Sequence, residues 1–240
     1  MTRPVTALVL AAGLGTRMRP ITDRIPKPLV PLAGRPLIDH VLDRLARAGI
    51  EQAVVNVHYL ADAIERHLAT RQRPRITISD ERRALLDTGG AIVHALPLLG
   101  AGPFLVHNSD TVWIERGIDN LSALIETWDS TRMDSLMLLA DRRTSLGYEG
   151  AGDFVMATDG RLARRARQES ADLVFAGVSI AHPRLLVDAP RGAFSLNWAW
   201  DRAIAGGRLF GMRLAGEWMH VGTPLALAAA EQRMTAGDDH

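Results

Sequence analysis

Residues 6–28 read TALVLAAGLGTRMRPITDRIPKP. A short apolar run ends at Leu10 and breaks at once into the small-residue turn Ala11-Ala12-Gly13-Leu14-Gly15. A continuous apolar run of that length is the mark of a strand covered on both faces. A glycine-rich turn after such a strand brings backbone N–H groups close to a ligand, as phosphate sites require. Arg17 and Arg19 come next, forked donors suited to phosphate oxygens. Lys27 then stands between Pro26 and Pro28, which restrict the backbone on either side of it. Together these residues read as a polyphosphate site, with more cationic charge than a dinucleotide needs.

Outward from this strand, strand-like and helix-like segments alternate. Behind Pro36, the residues Leu37, Ile38, Val41, Leu42 and Leu45 form one helical stripe, with Gly49 as a stop. Strands are expected over 53–57, 75–78, 104–107 and 136–139. Helices are expected over 60–68, 90–98 (ending near Pro97) and 121–128. This alternation predicts an α/β fold with a doubly wound, mostly parallel, Rossmann-like sheet. After Asp141 the pattern changes to a loop over 142–152, strands over 154–156 and 173–180 around a small β-rich lobe, and closing helices over 194–204 and 225–234. One domain over 1–234 is expected, followed by a flexible tail over 235–240.

Composition narrows the function classes. A chain of 240 residues, 47% hydrophobic and 23% charged, is ordinary for a globular protein. Lys plus Arg less Asp plus Glu is 28 − 27 = +1, so no overall field argues for a nucleic-acid partner, and any anion site must be local. The arginine-rich run over 161–167 reads as a solvated face. Absence of cysteine excludes disulfides, thiolate nucleophiles and Cys-ligated zinc. No apolar run approaches the roughly 20 residues that span a bilayer, so no membrane partner and a cytoplasmic location are expected. Residues 5–12 read as a buried strand in preference to a signal-peptide core.

Two further motifs bear chemistry. Asn108-Ser109-Asp110 follows a predicted strand, at the sheet edge where ligands of doubly wound folds gather. A carboxylate there suits Mg²⁺, which takes oxygen ligands and often shares them with substrate phosphates; the competing reading is an Asx turn. Leu86-Asp87-Thr88-Gly89-Gly90-Ala91 opens a predicted helix, where paired glycines allow close backbone approach and the first amides are free. Here the competing reading is a simple helix cap by Asp87 or Thr88. The dinucleotide fingerprint is broken, because Met18 occupies its third glycine position, and no Gly-Lys-Ser/Thr follows the loop. A nicotinamide-dependent oxidoreductase is disfavoured on that ground.

The run Gly13-Leu14-Gly15-Thr16-Arg17-Met18-Arg19-Pro20, with Pro26-Lys27-Pro28-Leu29, resembles the signature of the sugar-1-phosphate nucleotidyltransferases. The likeness continues through Asn108-Ser109-Asp110, the Gly89-Gly90 element, Gly152-Asp153-Phe154, Phe175-Ala176-Gly177 and Trp218-Met219-His220-Val221-Gly222-Thr223-Pro224, covering about residues 5–232. Within that family it looks most like the bacterial branch that uridylylates N-acetylmuramate 1-phosphate in cell-wall recycling. The resemblance implies a GT-A type fold, with a nucleotide-binding part over about 1–140 and a sugar-binding part over about 141–234. It implies UTP, or another nucleoside triphosphate, and a sugar 1-phosphate as substrates. Arg17, Lys27 and Asp110 become the catalytic candidates. Ala11, Ala12, Gly13, Gly15, Thr16, Arg17, Asp87, Gly89 and Asn108 become nucleotide-binding candidates, and Asp153, Gly177, Trp218 and Thr223 sugar-binding ones. Asp110 is the implied Mg²⁺ ligand, with Mn²⁺ or Co²⁺ as alternatives.

Two positions depart from the family pattern. Ser109 stands where glycine is usual, and His220 stands where a second metal-binding Asp is usual. Imidazole is a poor Mg²⁺ ligand beside carboxylate. Three readings of His220 follow: a tolerated substitution with the metal held by Asp110, phosphates and water; a preference for a softer ion; or a non-catalytic, nucleotide-binding relative. A guanylyl- or thymidylyltransferase of mannose or glucose 1-phosphate is the rival within the family. Trp113, Trp198, Trp200 and Trp218 either pack the core or wall a sugar pocket, and nothing in the sequence sets an oligomeric state.

Overall fold

The computed structural model of the chain describes residues 3–236. Its central strand is β1 (Thr6–Leu10), buried along Ala7, Leu8 and Val9. Three single-turn 3₁₀ helices, Thr16–Met18, Ile21–Asp23 and Lys27–Leu29, then lead to a hairpin of β2 (Pro31–Leu32) and β3 (Arg35–Pro36). Helix α1 (Leu37–Arg47) buries the whole expected stripe from Leu37 to Leu45. The chain continues through β4 (Gln52–Val57), α2 (Ala61–Leu68), β5 (Arg75–Asp80), α3 (Asp87–Leu99), β6 (Phe104–Asn108), β7 (Thr111–Glu115), α4 (Asn120–Thr127) and β8 (Ser135–Asp141). Beyond the 142–152 loop come β9 (Phe154–Met156), β10 (Leu162–Arg164), β11 (Leu173–Ala181), α5 (Asn197–Ala205), β12 (Leu209–Arg213), β13 (Gly216–His220) and α6 (Pro224–Thr235).

The main sheet has nine strands among the described residues, in the order β10-β9-β11-β6-β1-β4-β5, with β8 also on β11 and β12 on β8. Strands β5, β4, β1, β6, β8, β12 and β9 run one way, and β11 and β10 run the other. Helices cover both faces. Ala7 and Val9 pack with α1, α2 and α4, whereas Leu8 packs with α3 and α5, which is the doubly wound arrangement. β11 is the antiparallel strand inserted between β6 and β8, with parallel pairing from β6 to β5 on one side and from β8 to β12 on the other.

The structure differs from the sequence reading at several places. Helix α3 starts at Asp87 and passes through Pro97, because Ile92, Ala95 and Leu99 are drawn into the core, and it stops only at Gly100 with φ +86°. Strands β7 and β13, unforeseen, form a separate antiparallel ribbon in which Trp113 faces Trp218 and Thr111 faces His220. Thr235 ends α6 where a tail was expected to begin, and residues 237–240 lie outside the described residues. The arginine-rich run contains β10, where Arg164 binds Asp201 and Asn197 at 2.8 Å each and lies over Phe154. No helix among the described residues is long and apolar enough to cross a membrane.

His107 of β6 is fully buried and stacked on Trp113, with ring centroids 5.8 Å apart. Its Nδ1–H donates to the Asn108 carbonyl at 2.8 Å, while Nε2 has no partner among the described residues. Burial pushes the imidazole down to about 4, against the help of the Asn108 bond. An unfolded chain therefore takes up this proton first, near pH 6.5. Stability is whole above that pH and is lost as pH falls toward 4. Urea unfolding at pH 7 and pH 4.5 is expected to show a loss of up to roughly 3 kcal/mol from this group. Acid sensitivity should shrink in His107→Asn; an identical acid response in the variant contradicts the assignment.

Candidate active site

The register of β1 builds the site. Leu10 pairs with Asn56 of β4 on one side and with Asn108 of β6 on the other. All three strands end at one edge, so the loop after Leu10 opens between two polar strand ends. The Ala11 N–H donates to Asn56 Oδ1 at 2.6 Å, and Asn56 Nδ2 donates to Glu81 Oε1 at 2.8 Å. Glu81 Oε2 in turn accepts from the Leu86 N–H at 3.3 Å, just before α3. Asn56 and Glu81 are each only 2% exposed. This ladder ties the glycine loop to the next two strands, and buried polar groups joined in this way specify one arrangement.

Gly15 carries the loop back on itself. Its φ of +64° is costly for other residues, and a Cβ there would meet the Thr22 methyl at 2.9 Å and Lys27 Cβ at 3.2 Å. Thr22 Oγ1 donates to the Gly15 carbonyl at 2.8 Å and closes the return. Pro26 is extended, and the 3₁₀ turn beginning at Lys27 then points the lysine inward. Lys27 is 9% exposed, and its Nζ forms an ion pair with Asp110 Oδ2. Burial works against the Asp110 charge, but Lys27 outweighs it, so the carboxyl is held below its usual range and stays ionised.

Three cavities meet at this ion pair, and Asp110 lines all of them. The largest, about 470 Å³, is lined by Ala11, Ala12, Gly13, Gly15, Lys27, Asp87 and Asn108, together with Asn56 and Glu81. The second, about 220 Å³, holds Arg17, Asp153, Gly177, Trp218 and His220, with Thr111 and Tyr148. A third of about 240 Å³ joins Thr16 and Arg17 to Gly13, Gly15 and Lys27. A large apolar-walled slot, a smaller polar cavity and a cationic bridge between them suit two ligands whose charged ends meet at Lys27.

In the second cavity, Asp153 Oδ2 accepts from the Phe175 N–H at 2.9 Å. Gly177, with φ +80°, sits at the irregularity that bends β11, and a Cβ there would run into Thr111 Oγ1. Trp218 is 5% exposed, and its indole N–H has no partner among the described residues. His220 stands beside Trp218 and Tyr148, at 5.5 and 6.3 Å between ring centroids. Burial first, then Lys27 and Arg17, lower its basicity against the pull of Asp110, so the ring is neutral near pH 7. Trp113 and Trp200 are core residues instead, and Trp198 packs edge-on against Phe194.

One expectation is corrected by geometry, and another residue has a structural role beside its expected one. Gly89 is buried under the Phe194 ring, and its N–H donates to the Phe194 carbonyl at 2.8 Å, so that helix start offers no open amide there. The segment before α5 folds over the glycine pair and takes the donors that a ligand would have used. Thr223 caps α6, its hydroxyl oxygen accepting from the Ala226 N–H at 3.2 Å, a bond that leaves its O–H free to donate. Sequence reasoning also missed Asn56 and Glu81. The available signal was a lone amide inside the buried run Val54-Val55-Asn56-Val57.

Removing the middle of the ladder tests it. Asn56→Ala leaves the Ala11 N–H and a Glu81 oxygen buried without partners, at an expected cost of about 1–3 kcal/mol. Thermal unfolding should register that loss, and nucleoside triphosphate affinity should fall at least about tenfold through the loosened loop. A variant with wild-type affinity would mean the loop needs no such support.

Comparison with known proteins agrees with this geometry. A family model described as nucleotidyl transferase matches residues 6–148. The chain is 50% identical to N-acetylmuramate alpha-1-phosphate uridylyltransferase of Caulobacter vibrioides over 235 residues, covering 96% of this chain and 97% of that protein. It is 34% identical to the enzyme of the same name from Neisseria meningitidis serogroup B, over 94% of this chain and 96% of that one. Among solved structures, HddC from Yersinia pseudotuberculosis complexed with GMP-PN superposes with a TM-score of 0.76 at 21% identity, covering 96% and 99% of the two chains. That likeness speaks for the fold alone. By its family match and its full-length relatives, the chain belongs to the nucleotidyl transferase family and is an enzyme of nucleotidyl transfer.

Proposed function

We propose that this enzyme transfers the uridylyl group of UTP to N-acetylmuramate α-1-phosphate, giving the UDP-sugar and pyrophosphate. The observation that carries this reading is the 50% identity, over nearly the whole of both chains, to a relative bearing that activity's name. The site supports it: a slot for a nucleoside, a smaller polar cavity for a sugar, and Lys27 with Arg17 where their phosphates would meet. UTP and sugar phosphates are cytoplasmic metabolites, and we assign the enzyme to that compartment.

A phosphate oxygen of the sugar 1-phosphate attacks the α-phosphorus of UTP. The bond from that phosphorus to the bridging oxygen breaks, and pyrophosphate leaves with the electron pair. The nucleophile is already an anion, so no strong base is required, and catalysis is positioning and charge neutralisation. The Gly13 to Thr16 backbone and Arg17 hold the triphosphate. Lys27, released from Asp110 as the ligands enter, neutralises charge at the α- and sugar phosphates. Neutral His220 and Asp153 make hydrogen bonds on the sugar-phosphate side.

The donors present fit a magnesium ion shared with substrate. Among the described residues no three His, Cys, Asp or Glu gather into a self-contained metal site, so Asp110 would hold Mg²⁺ together with phosphate oxygens and water. The ion, when bound, supplies charge neutralisation and alignment of the phosphates. On this reading His220 is a tolerated replacement for a second carboxylate.

Pyrophosphate release with UTP, Mg²⁺ and a panel of sugar 1-phosphates tests the reading, and release should be fastest with the muramate derivative. Turnover only with another nucleoside triphosphate, or only with neutral sugars, would overturn it. Lys27→Ala and Asp110→Asn should each lower kcat/KM by about 100-fold or more, and EDTA should stop turnover reversibly. Parental kcat/KM in Lys27→Ala would remove that lysine from catalysis.

A further inference from the structure

Around the sugar-side cavity most cations are already occupied. Lys27 holds Asp110, Arg143 holds Asp172 at 3.0 Å, and Arg165 donates to the carbonyls of Gly152, Ala166 and Glu169 at 3.0, 3.1 and 2.6 Å. Arg17 lies on the phosphate side, where it also lines the cationic bridge. Arg142 is different: its Nε is buried and has no hydrogen-bond partner among the described residues.

Strand geometry sets where Arg142 stands. Leu136, Leu138 and Ala140 of β8 share one face of the sheet, and Ala140 pairs with Val174, which lines the sugar-side cavity. The ladder continues one step further, with the Arg142 N–H donating to the Asp172 carbonyl at 2.8 Å. Two residues beyond Ala140, in the turn just after β8, Arg142 continues the β8–β11 pairing on the face of Val174, next along the chain edge from the cavity lining. Tyr148, which lines that cavity, feels Arg142 as a neighbouring positive charge. A guanidinium nitrogen left buried without an acceptor is unfavourable, and the forked shape of arginine matches a carboxylate.

We infer that Arg142 is a specificity residue that binds a carboxylate carried by the sugar, remote from its phosphate. This rests on the function proposed above, because N-acetylmuramate differs from N-acetylglucosamine by a lactyl ether whose carboxylate supplies that charge. The phosphate meets Lys27 and Arg17 at one end, and the lactyl carboxylate meets Arg142 at the other. A neutral sugar leaves Arg142 without its acceptor.

Steady-state kinetics with N-acetylmuramate 1-phosphate and N-acetylglucosamine 1-phosphate test this in the wild type and in Arg142→Gln. The wild type should prefer the acid sugar, and the substitution should lower that preference by at least about tenfold, mainly through KM. Should the wild type prefer the acid sugar and Arg142→Gln keep the preference to within tenfold, Arg142 is not the reader while the enzyme's function stands. A wild type with no preference for the acid sugar overturns both. The carboxamide analogue of the muramate phosphate, used on wild-type enzyme, carries the test even if the variant fails to fold. It keeps the shape and loses the charge, so its KM should rise at least about tenfold, and an unchanged KM overturns the inference.

Discussion

The Lys27–Asp110 ion pair is the contact on which the site depends. It joins the loop that leaves β1 to the turn that leaves β6, two segments more than eighty residues apart in sequence. The lysine is buried and the carboxylate half-buried, which disfavours each charge alone and strengthens the attraction between them. Burial disfavours the Asp110 charge, and the lysine more than offsets it, so the carboxyl is held below its usual range. A site proposed to receive phosphates thus carries its own stand-in charges, and ligand entry would amount to an exchange of partners. In the proposed reaction, phosphate oxygens would replace the carboxylate at Lys27, and Asp110 would be freed to hold a cation.

Precision behind that pair comes from rigid elements. Parallel pairing of β1 with β4 and β6 sets Asn56 and Asn108 on either side of Leu10. The Asn56–Glu81 ladder then anchors the glycine loop and the start of α3 to the same sheet edge. Strand register has no freedom here, since a one-residue slip would turn Leu8, Val54 and Val106 from one packed face to the other. The ligand-facing loop inherits the stiffness of the core beneath it.

The β7–β13 ribbon does for the sugar side what the parallel strands do for the nucleotide side. It sets His220 opposite Thr111 and Trp218 opposite Trp113, with Val112 and Met219 packed beneath among Met18, Val30 and Leu32. His220 thereby stands near Asp110 although it enters the fold from the far end of the chain. A neutral imidazole there keeps the cationic bridge from gaining a further charge.

Much of the architecture was legible in the chain because it is local. Continuous apolar runs marked β1, β4, β6 and β8, and the stripe from Leu37 to Leu45 marked α1, since burial on two faces and on one face leave different periodicities. Gly13, Gly15, Arg17 and Lys27 in one segment, and Asp110 after another strand, were likewise readable as chemistry-bearing, since small residues, cations and a carboxylate following apolar strands each form a local chemical pattern. Other features depended on partners remote in sequence. Thr111–Glu115 becomes a strand only by pairing with Gly216–His220. Gly89 was read as a free amide because Phe194, more than a hundred residues away, is invisible to a local reading. Asn56 and Glu81 gain meaning only when adjacent strands bring them within 2.8 Å. The sequence alone determined the buried strands and amphipathic helices of the main sheet and which residue types carry chemistry, since hydrophobic period and residue type act over a few positions. The tertiary structure alone decided which amides remain open, which charges pair and which side chains share a cavity, because hydrogen bonds and ion pairs act over a few ångströms between segments the chain does not place side by side.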